Sequence, residues 1–246
     1  MKKYALYSLM LVMTALGFTS CNDGEDQLTD TTITNYVVLE LQGDDFVLVP
    51  LGSNYVDAGC KADLGGEDFS SKLVKTGEVD TNTVGFYDIT YSGTNPEGYA
   101  VSTSRTVVVY DPSVTVSIAG TYSVNMDAST YGKAKDLFSA RAAGYGNTSQ
   151  STGIKFEEVA PGIYKVNDLL GGWYDQIRAY GSRYAMTGYV SLNPDNTLTL
   201  QSSLIAGWGD GLDYIDNTKV DPQAGTISYS LSYAGQIFMD IVLNKD

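Results

Sequence analysis

The stretch "GFYDITYSGTNPEGYAVSTSRTVVVYD", residues 85–111, establishes the fold class of the first part of the chain. Over residues 86–91 two sets of side chains alternate, so the pattern has a period of two. The turn residues of "GTNPEG" follow, and after them comes the β-branched run "TVVVY". A period of two, broken by turn residues, predicts antiparallel strands with one buried face.

Similar short runs surround this stretch. They are "YVVLELQG" (36–43), "FVLVPLG" (46–52) and "FSSKLVKTG" (69–77), each ending in a glycine. Several short strands with turn signals between them are typical of a β-sandwich. We therefore predict a small β-sandwich domain over residues 36–111.

The same region resembles the immunoglobulin-like domain of bacterial surface proteins. The matching positions are Tyr55, Asp57, Gly59, Val79, Asp80, Thr81, Gly85, Tyr87, Arg105, Val107 and Val109. The resemblance implies an immunoglobulin-like β-sandwich that acts as a spacer. Cys60 stands where that family has a small residue, which favours a buried structural thiol.

Residues 112–246 predict a second all-β domain. Pro112 disfavours a helix before it and suits an inter-domain joint. The predicted strands lie in "GTYSVNMD", "GIKFEEVAPGIYKVND", "AMTGYVSLNPDNTLTLQSS" and "GTISYSLSYAGQIFMDIVL". We expect an antiparallel β-barrel or β-sandwich, and the pattern leaves the two open. A short helix is expected within residues 131–144.

The N-terminus has the order of a secretory signal peptide. Two lysines precede an apolar run up to Phe18, which is too short for a membrane span. Residues 1–20 are therefore expected to be removed. Thr19 and Ser20 before Cys21 resemble a bacterial lipobox, which implies lipidation of Cys21. A flexible acidic linker is expected over residues 21–35. Its acidic run after Cys21 resembles the export signal of surface lipoproteins, which implies a location at the outer membrane and the cell surface. The only membrane contact would be the lipid anchor.

Composition excludes several classes of chemistry. The chain of 246 residues has no His and two Cys, which rules out His-dependent nucleophiles and ordinary zinc sites. Its formal net charge of −14 opposes binding to nucleic acid. We expect neither a cofactor nor enzymatic activity.

The order of signal peptide, lipidated Cys, acidic linker, immunoglobulin-like domain and all-β domain is similar to surface lipoproteins of Bacteroidetes glycan-utilisation systems, SusE/SusF-like in role. The segments "LLGGWYDQIRAYGSRYAMTGYVSL" and "AGWGDGLDY" also resemble an uncharacterised C-terminal domain of such lipoproteins. The resemblance implies polysaccharide or oligosaccharide capture for uptake, beside an outer-membrane transporter complex.

The two tryptophans occur in similar surroundings, "GGWYD" (171–175) and "AGWGD" (206–210). Aromatic faces can cover the apolar face of a sugar, while polar side chains bind its hydroxyl groups. The first candidate set is Trp173, Tyr174, Asp175, Gln176, Arg178, Tyr180, Arg183 and Tyr184. The second set is Trp208, Asp210, Asp213 and Tyr214. If both Trp rings bind a glycan, both should be partly exposed and should face one cleft. If either is fully buried, the two similar segments are two turns that each carry a large aromatic residue.

Two other functions stay open. The protein could be an assembly subunit of a transporter complex without a ligand of its own. A glycoside hydrolase could use a pair among Asp175, Asp210 and Asp213. Asp210, Asp213 and Asp216 stand at three-residue intervals, but they lack the spacing of an EF-hand, so no metal site is predicted.

Overall fold

The computed structural model describes residues 33–147 and 149–246, of which Val37–Asp246 form one compact unit. The expected signal peptide, the lipidation of Cys21 and nearly all of the expected linker lie outside the described residues. Within the described part, no helix combines the length and the apolar character of a membrane span.

The first domain is built from two sheets. A three-stranded sheet contains β1 (Val37–Leu41), β3 (Cys60–Leu64) and β4 (Glu67–Asp68). A four-stranded sheet contains β2 (Phe46–Pro50), β7 (Ala100–Tyr110), β6 (Gly85–Thr94) and β5 (Val74–Thr76), with β2 parallel to β7. Side chains of both sheets share one apolar core. The predicted immunoglobulin-like β-sandwich is thereby confirmed.

The strand predictions in this domain hold for the regular runs. Strands β6 and β7 pair over ten residues, and Ile89 and Tyr91 are buried, as the period of two predicts. Strand β3 was not predicted, because the sequence "CKADL" lacks a β-branched run. Ser70–Lys72 forms a 3-10 turn where part of a strand was expected.

A buried ion pair explains why the immunoglobulin-like pattern contains a distant Asp and Arg. The Arg105 side chain is 1% exposed and donates to Asp57 and to the backbone carbonyls of Gln42 and Asp44. Lys75 also contacts the Asp57 carboxylate at 2.8 Å. Burial raises the pKa of Asp57, but hydrogen bonds from Lys75 and Tyr91 outweigh burial and lower it to about 2. The pair ties the loop of residues 51–59 to β7.

The second domain is one curled ten-stranded sheet. Its strands are β8 (Gly120–Val124), β9 (Thr130–Tyr131), β10 (Asp136–Leu137), β11 (Ile154–Ala160), β12 (Ile163–Val166), β13 (Met186–Leu192), β14 (Leu198–Ile205), β15 (Leu212–Asp221), β16 (Thr226–Tyr233) and β17 (Ile237–Lys245). The expected short helix is present as α1 (Phe138–Ala143). All of the strand pairs are antiparallel, which confirms the predicted class.

The sheet curls far enough to bring β14 back to β15. Strand β17 pairs with β16, β8 and β9, which places the last strand in the middle of the sheet. Strands β14 and β15 are joined by hydrogen bonds to side chains: the Leu198 amide donates to Thr218 Oγ1 and the Leu212 amide to Ser203 Oγ, each at 2.8 Å. The domain is therefore closer to a barrel than to a sandwich, with a loosely joined seam.

The interior of the curled sheet is filled by the long connection between β12 and β13, residues 167–185. Leu169, Leu170 and Trp173 of this connection are fully buried in the main core. The Tyr229 hydroxyl of β16 donates to the Leu169 carbonyl at 2.9 Å and holds the connection inside. The residues proposed for binding are thus carried by a segment that is itself part of the core.

Strand β15 was not among the predicted strands. The sequence "DGLDYIDN" is rich in Asp and Gly, yet Leu212–Asp221 pairs with β16. The pairing of β15 with β16 accommodates this sequence through two register shifts. One lies between Leu212 and Tyr214, and the other between Asp216 and Lys219.

Candidate functional site

The segment "GGWYD" turns sharply and sends its two aromatic side chains to different places. Gly171 and Gly172 have φ of 61° and 74°, and Trp173–Ile177 forms a π-helical turn. The Trp173 ring is 0% exposed and lies at 4.4 Å from the Tyr131 ring, centroid to centroid. The rings of Phe138 and Tyr145 meet its edges.

The expectation that the Trp173 ring is partly exposed is therefore wrong. The residue belongs to the core, because the left-handed glycines turn the chain inward at this point. It has no surface with which to stack on a ligand.

Tyr174 instead faces the other tryptophan. Its ring meets the Trp208 ring edge to face, at 4.7 Å between centroids. The two similar segments thus do come together, through Tyr174 rather than Trp173. We name the resulting group of rings the Trp208 cluster; its members are Tyr174, Tyr180, Tyr184, Trp208 and Tyr233.

Trp208 packs against neighbouring aromatic rings but remains 45% exposed. Tyr184 tilts against it at 5.0 Å, and Tyr233 lies parallel to it within 16° at 6.3 Å. Tyr180, which is also exposed, stacks on Tyr174 at 5.9 Å. An exposed aromatic ring supported on several sides can receive a ligand without losing much side-chain freedom.

A tight loop between β14 and β15 presents Trp208. The amide of Gly209 donates to the Ile205 carbonyl at 2.7 Å, and the amide of Gly207 donates to the Arg183 carbonyl at 2.9 Å. A Cβ on Gly207 would stand 2.5 Å from the Tyr184 ring. Glycine is therefore required here, so that the loop can pack against the ring.

Arg178 links the cluster to the rings around Trp173. Its guanidinium lies 4.1 Å from the Tyr145 ring centroid and 5.0 Å from that of Tyr180. It also donates to the Tyr180 hydroxyl at 2.5 Å. Arg178 therefore fixes the orientation of an exposed ring of the cluster.

Two acidic residues lie at the edge of the cluster. The exposed Asp210 accepts a hydrogen bond of 2.9 Å from the Tyr233 hydroxyl, whose pKa is raised by burial and then by this carboxylate. Asp213 accepts from the Gly235 amide and the Ser232 hydroxyl, both at 2.8 Å, and these bonds lower its pKa. Both carboxylates are oriented acceptors at an aromatic surface.

The other predicted residues have different positions. The Gln176 side chain bonds the backbone of Thr152 in both directions, so it holds the fold. Arg183 is exposed and contributes its carbonyl to the Trp208 loop, and Asp175 is half-buried in the π-helical turn. Tyr214 lines a separate cavity with Phe238.

Sequence reasoning missed two residues. Tyr233 lies in the alternating run "SYSLSY" of β16, which predicts a buried side chain but not its place beside Trp208. Asp168 is 2% exposed; its Oδ1 accepts from the amides of Leu170 and Met186, while Oδ2 has no hydrogen-bond partner. Burial raises the pKa of Asp168 to about 7.

Comparison with known proteins agrees with this architecture. A family model described as "Bacterial surface protein, Ig-like domain" matches residues 39–109, and one described as a C-terminal domain matches residues 111–245. The lipoprotein BT2262 from Bacteroides thetaiotaomicron, known from a crystal structure, is 37% identical over 85% of this chain and 100% of its own. This chain belongs to the same family as that lipoprotein.

The structure of this chain superposes on that crystal structure with a TM-score of 0.46. The family assignment therefore rests on the sequence identity and on the family models. Among curated proteins, none matches the chain. Neither family model describes a catalytic domain. The predicted immunoglobulin-like surface domain is confirmed. The order of the two domains, with the immunoglobulin-like domain first, is confirmed as well.

Across residues 33–147 and 149–246, no group of three or more Asp, Glu, Cys or His side chains could hold an ion together. Asp210 accepts a hydrogen bond from the Tyr233 hydroxyl, and Asp213 accepts one from the Ser232 hydroxyl. Asp216 accepts from the Asn217 side chain at 3.0 Å.

Proposed function

We propose that this protein is a non-catalytic, lipid-anchored protein of the outer cell surface that binds a polysaccharide or oligosaccharide for uptake. The observation that carries the proposal is the Trp208 ring, which is held by three tyrosines and remains 45% exposed. The anchor would be Cys21, and the C-terminal domain would present the ring to the ligand.

The surroundings of Trp208 match the chemistry of a sugar. The exposed Trp208 and Tyr180 rings offer apolar faces for the C–H groups of a pyranose. Asp210 offers acceptor oxygens and the exposed Arg183 offers donors for the hydroxyl groups at its edge. A few polar groups around an aromatic surface are a common arrangement in ligand sites.

Hydrolysis has no support in the pKa of Asp213 or in the position of Asp168. A glycosidase needs a general acid whose pKa is raised. The pKa of Asp213 is lowered by its hydrogen bonds, and the carboxyl with a raised pKa, Asp168, is buried away from solvent. Binding without catalysis therefore fits the geometry better than the hydrolase alternative.

Affinity gel electrophoresis of residues 22–246 tests the proposal, with amylopectin, barley β-glucan, galactomannan and arabinoxylan in separate gels. We expect retardation by at least one polysaccharide, and a loss of about tenfold in affinity for Trp208→Ala, because a stacking face is removed. Tyr99→Ala, which removes an exposed aromatic ring of the first domain, is the matched control and should bind as the wild type does.

Two results would reject the proposal. One is full retention of affinity by a folded Trp208→Ala variant. The other is a folded wild-type protein that none of the four gels retards, which would favour the assembly-subunit role. Circular dichroism of each variant establishes whether it is folded.

A further inference from the structure

A second surface of the C-terminal domain has the features of a ligand site, separate from the Trp208 cluster. A cavity of about 270 Å³ opens over strands β9, β15, β16 and β17. We name it the Tyr214 groove, after the residue at one wall. Its volume is close to the lower limit of small-molecule sites, on the order of 300 Å³.

The floor of the groove is a row of polar side chains across four adjacent strands. Strand register places Thr130 opposite Asp240, Asp240 opposite Ser230, and Ser230 opposite Asp216. The Asp240 carboxylate accepts from Thr130 Oγ1 and Ser230 Oγ, each at 2.8 Å, and from Lys135 Nζ at 2.9 Å. These contacts fix the floor before any ligand arrives.

A strained residue brings a further polar side chain to this floor. Asn217 has a φ of 48° and lies at the register shift of β15. Its side-chain Nδ2 donates a hydrogen bond to Asp216 Oδ1 at 3.0 Å and a longer one to Ser230 Oγ at 3.4 Å. Bulges and left-handed non-glycine residues are enriched where a strand redirects a side chain into a functional site.

Aromatic side chains form the walls. Tyr214 is 44% exposed, and Phe238 stands on β17 with Lys133 Nζ 4.9 Å above its ring. The groove thus combines aromatic walls with a floor of fixed donors and acceptors. This is the arrangement that a sugar ring requires, because its faces are apolar and its edge carries hydroxyl groups.

The charges of the groove favour a neutral ligand. Lys133 and Lys135 are balanced by Asp216 and Asp240, and Lys135 is already paired with Asp240. An anion would meet the two carboxylates as well as a chain of net charge −14, and a cation would meet the two lysines. Hydroxyl groups, which both donate and accept, can bond to either kind of side chain.

We infer that the Tyr214 groove is a second binding site, for a neutral sugar unit of a glycan chain. Tyr214 and Asn217 face the ligand, and Asp240 positions the floor. The site uses none of the rings of the Trp208 cluster, so each can exist without the other. Two sites on one domain would raise the apparent affinity for a long chain above that for a short oligosaccharide.

The test compares single and double variants of residues 22–246. Asn217→Gly removes the side chain at a position where glycine adopts the backbone angle without strain. Asn196→Gly is the matched control, because Asn196 has a φ of 61° and lies in the exposed turn between β13 and β14. Tyr214→Ala, Trp208→Ala and the double variant of Trp208→Ala with Asn217→Gly complete the set.

Affinity gels with the four neutral polysaccharides named above and with chondroitin sulfate are the measurement. We expect Asn217→Gly and Tyr214→Ala to weaken binding to a neutral polysaccharide by about threefold to tenfold, because a polar contact or an aromatic wall is lost. Asn196→Gly should bind as the wild type does. The double variant should bind more weakly than either single variant.

Each other outcome overturns one or both proposals. Wild-type affinity in folded Asn217→Gly and Tyr214→Ala, together with a loss in Trp208→Ala, rejects the groove and keeps the Trp208 cluster. The reverse result rejects the cluster and keeps the groove. Binding to chondroitin sulfate alone rejects the neutral ligand, and binding to none of the five polymers rejects both sites.

Discussion

Two tryptophans with nearly the same neighbours in sequence have opposite environments. Trp173 is fully buried among Tyr131, Phe138 and Tyr145, whereas Trp208 stands at the tip of a loop and is half-exposed. The difference arises from backbone direction: two left-handed glycines turn residue 173 inward, and a tight loop holds residue 208 outward. The residue types and their local spacing do not determine which way the backbone turns at each Trp.

Asp168 is a buried carboxyl group whose pKa is strongly raised. It is buried in the core of the C-terminal domain, and its pKa is raised to about 7 because burial disfavours the charged form. In the unfolded chain an Asp has a pKa of about 3.9. Between about pH 4 and about pH 7 the folded state therefore binds more protons than the unfolded state.

We predict that the free energy of unfolding falls as the pH rises through this window and then levels off above about pH 7, where Asp168 is ionised in both states. Asp168→Asn cannot ionise and keeps the acceptor for the two amides. The variant should therefore gain stability relative to the wild type as the pH rises from about 4 to about 7. Urea denaturation at a series of pH values measures this difference.

The exposed change Asp44→Asn is the control for this experiment, since it alters a carboxyl that solvent surrounds. The stability of Asp168→Asn relative to the wild type should change with pH more than the stability of Asp44→Asn does. A difference between Asp168→Asn and the wild type that is constant with pH would contradict the predicted titration.

At the level of elements, the irregular segments are the ones that build the candidate site. The alternation in β6 agrees with the sequence pattern, because this strand has one buried face. In β7 the alternation ends at Val107–Val109, because Val108 is buried against the second domain. Strand β15 has two register shifts and many acidic residues, so its pattern is that of a loop. The π-helical turn Trp173–Ile177 has no periodicity that a sequence pattern could show.

Gly172 is expected to be essential for that turn. It has a φ of 74°, and a Cβ there would overlap Ser151 Oγ. We predict that Gly172→Ala lowers the free energy of unfolding by about 2–4 kcal/mol, through backbone strain and overpacking together. Gly235→Ala has a similar φ of 62° but no atom within 4 Å, and it should cost only about 1 kcal/mol.

Denaturant unfolding of both variants gives the two values. Equal losses for Gly172→Ala and Gly235→Ala would show that the backbone angle alone matters at residue 172. In that case the close approach to Ser151 would have no energetic role.

Across the entire chain, the two β-domains meet through an apolar contact. Val108 of β7 is fully buried against Ala160 and Ile163. The rings of Phe86 and Tyr189 lie 4.8 Å apart across the same junction. A fully buried apolar contact can couple the folding of the parts that it joins.

We predict that the wild type unfolds in one calorimetric transition, and that Val108→Asn separates it into two, because an amide without a partner would be buried at the junction. Val38→Asn, at an exposed position of β1, is the control and should keep the single transition. A single transition in a folded Val108→Asn variant would show that the coupling comes from elsewhere.

The sequence alone was sufficient for the all-β class and the aromatic segments, because alternation and turn residues are local properties of the chain. The immunoglobulin-like domain was identified by its resemblance to a known family. The folded structure was needed for everything that depends on distant residues meeting. It buried Trp173, placed Tyr174 and Tyr233 beside Trp208, and assigned Tyr214 to a separate groove. Curling of the sheet sets which faces reach solvent, and pairings between strands far apart in the chain determine that curl.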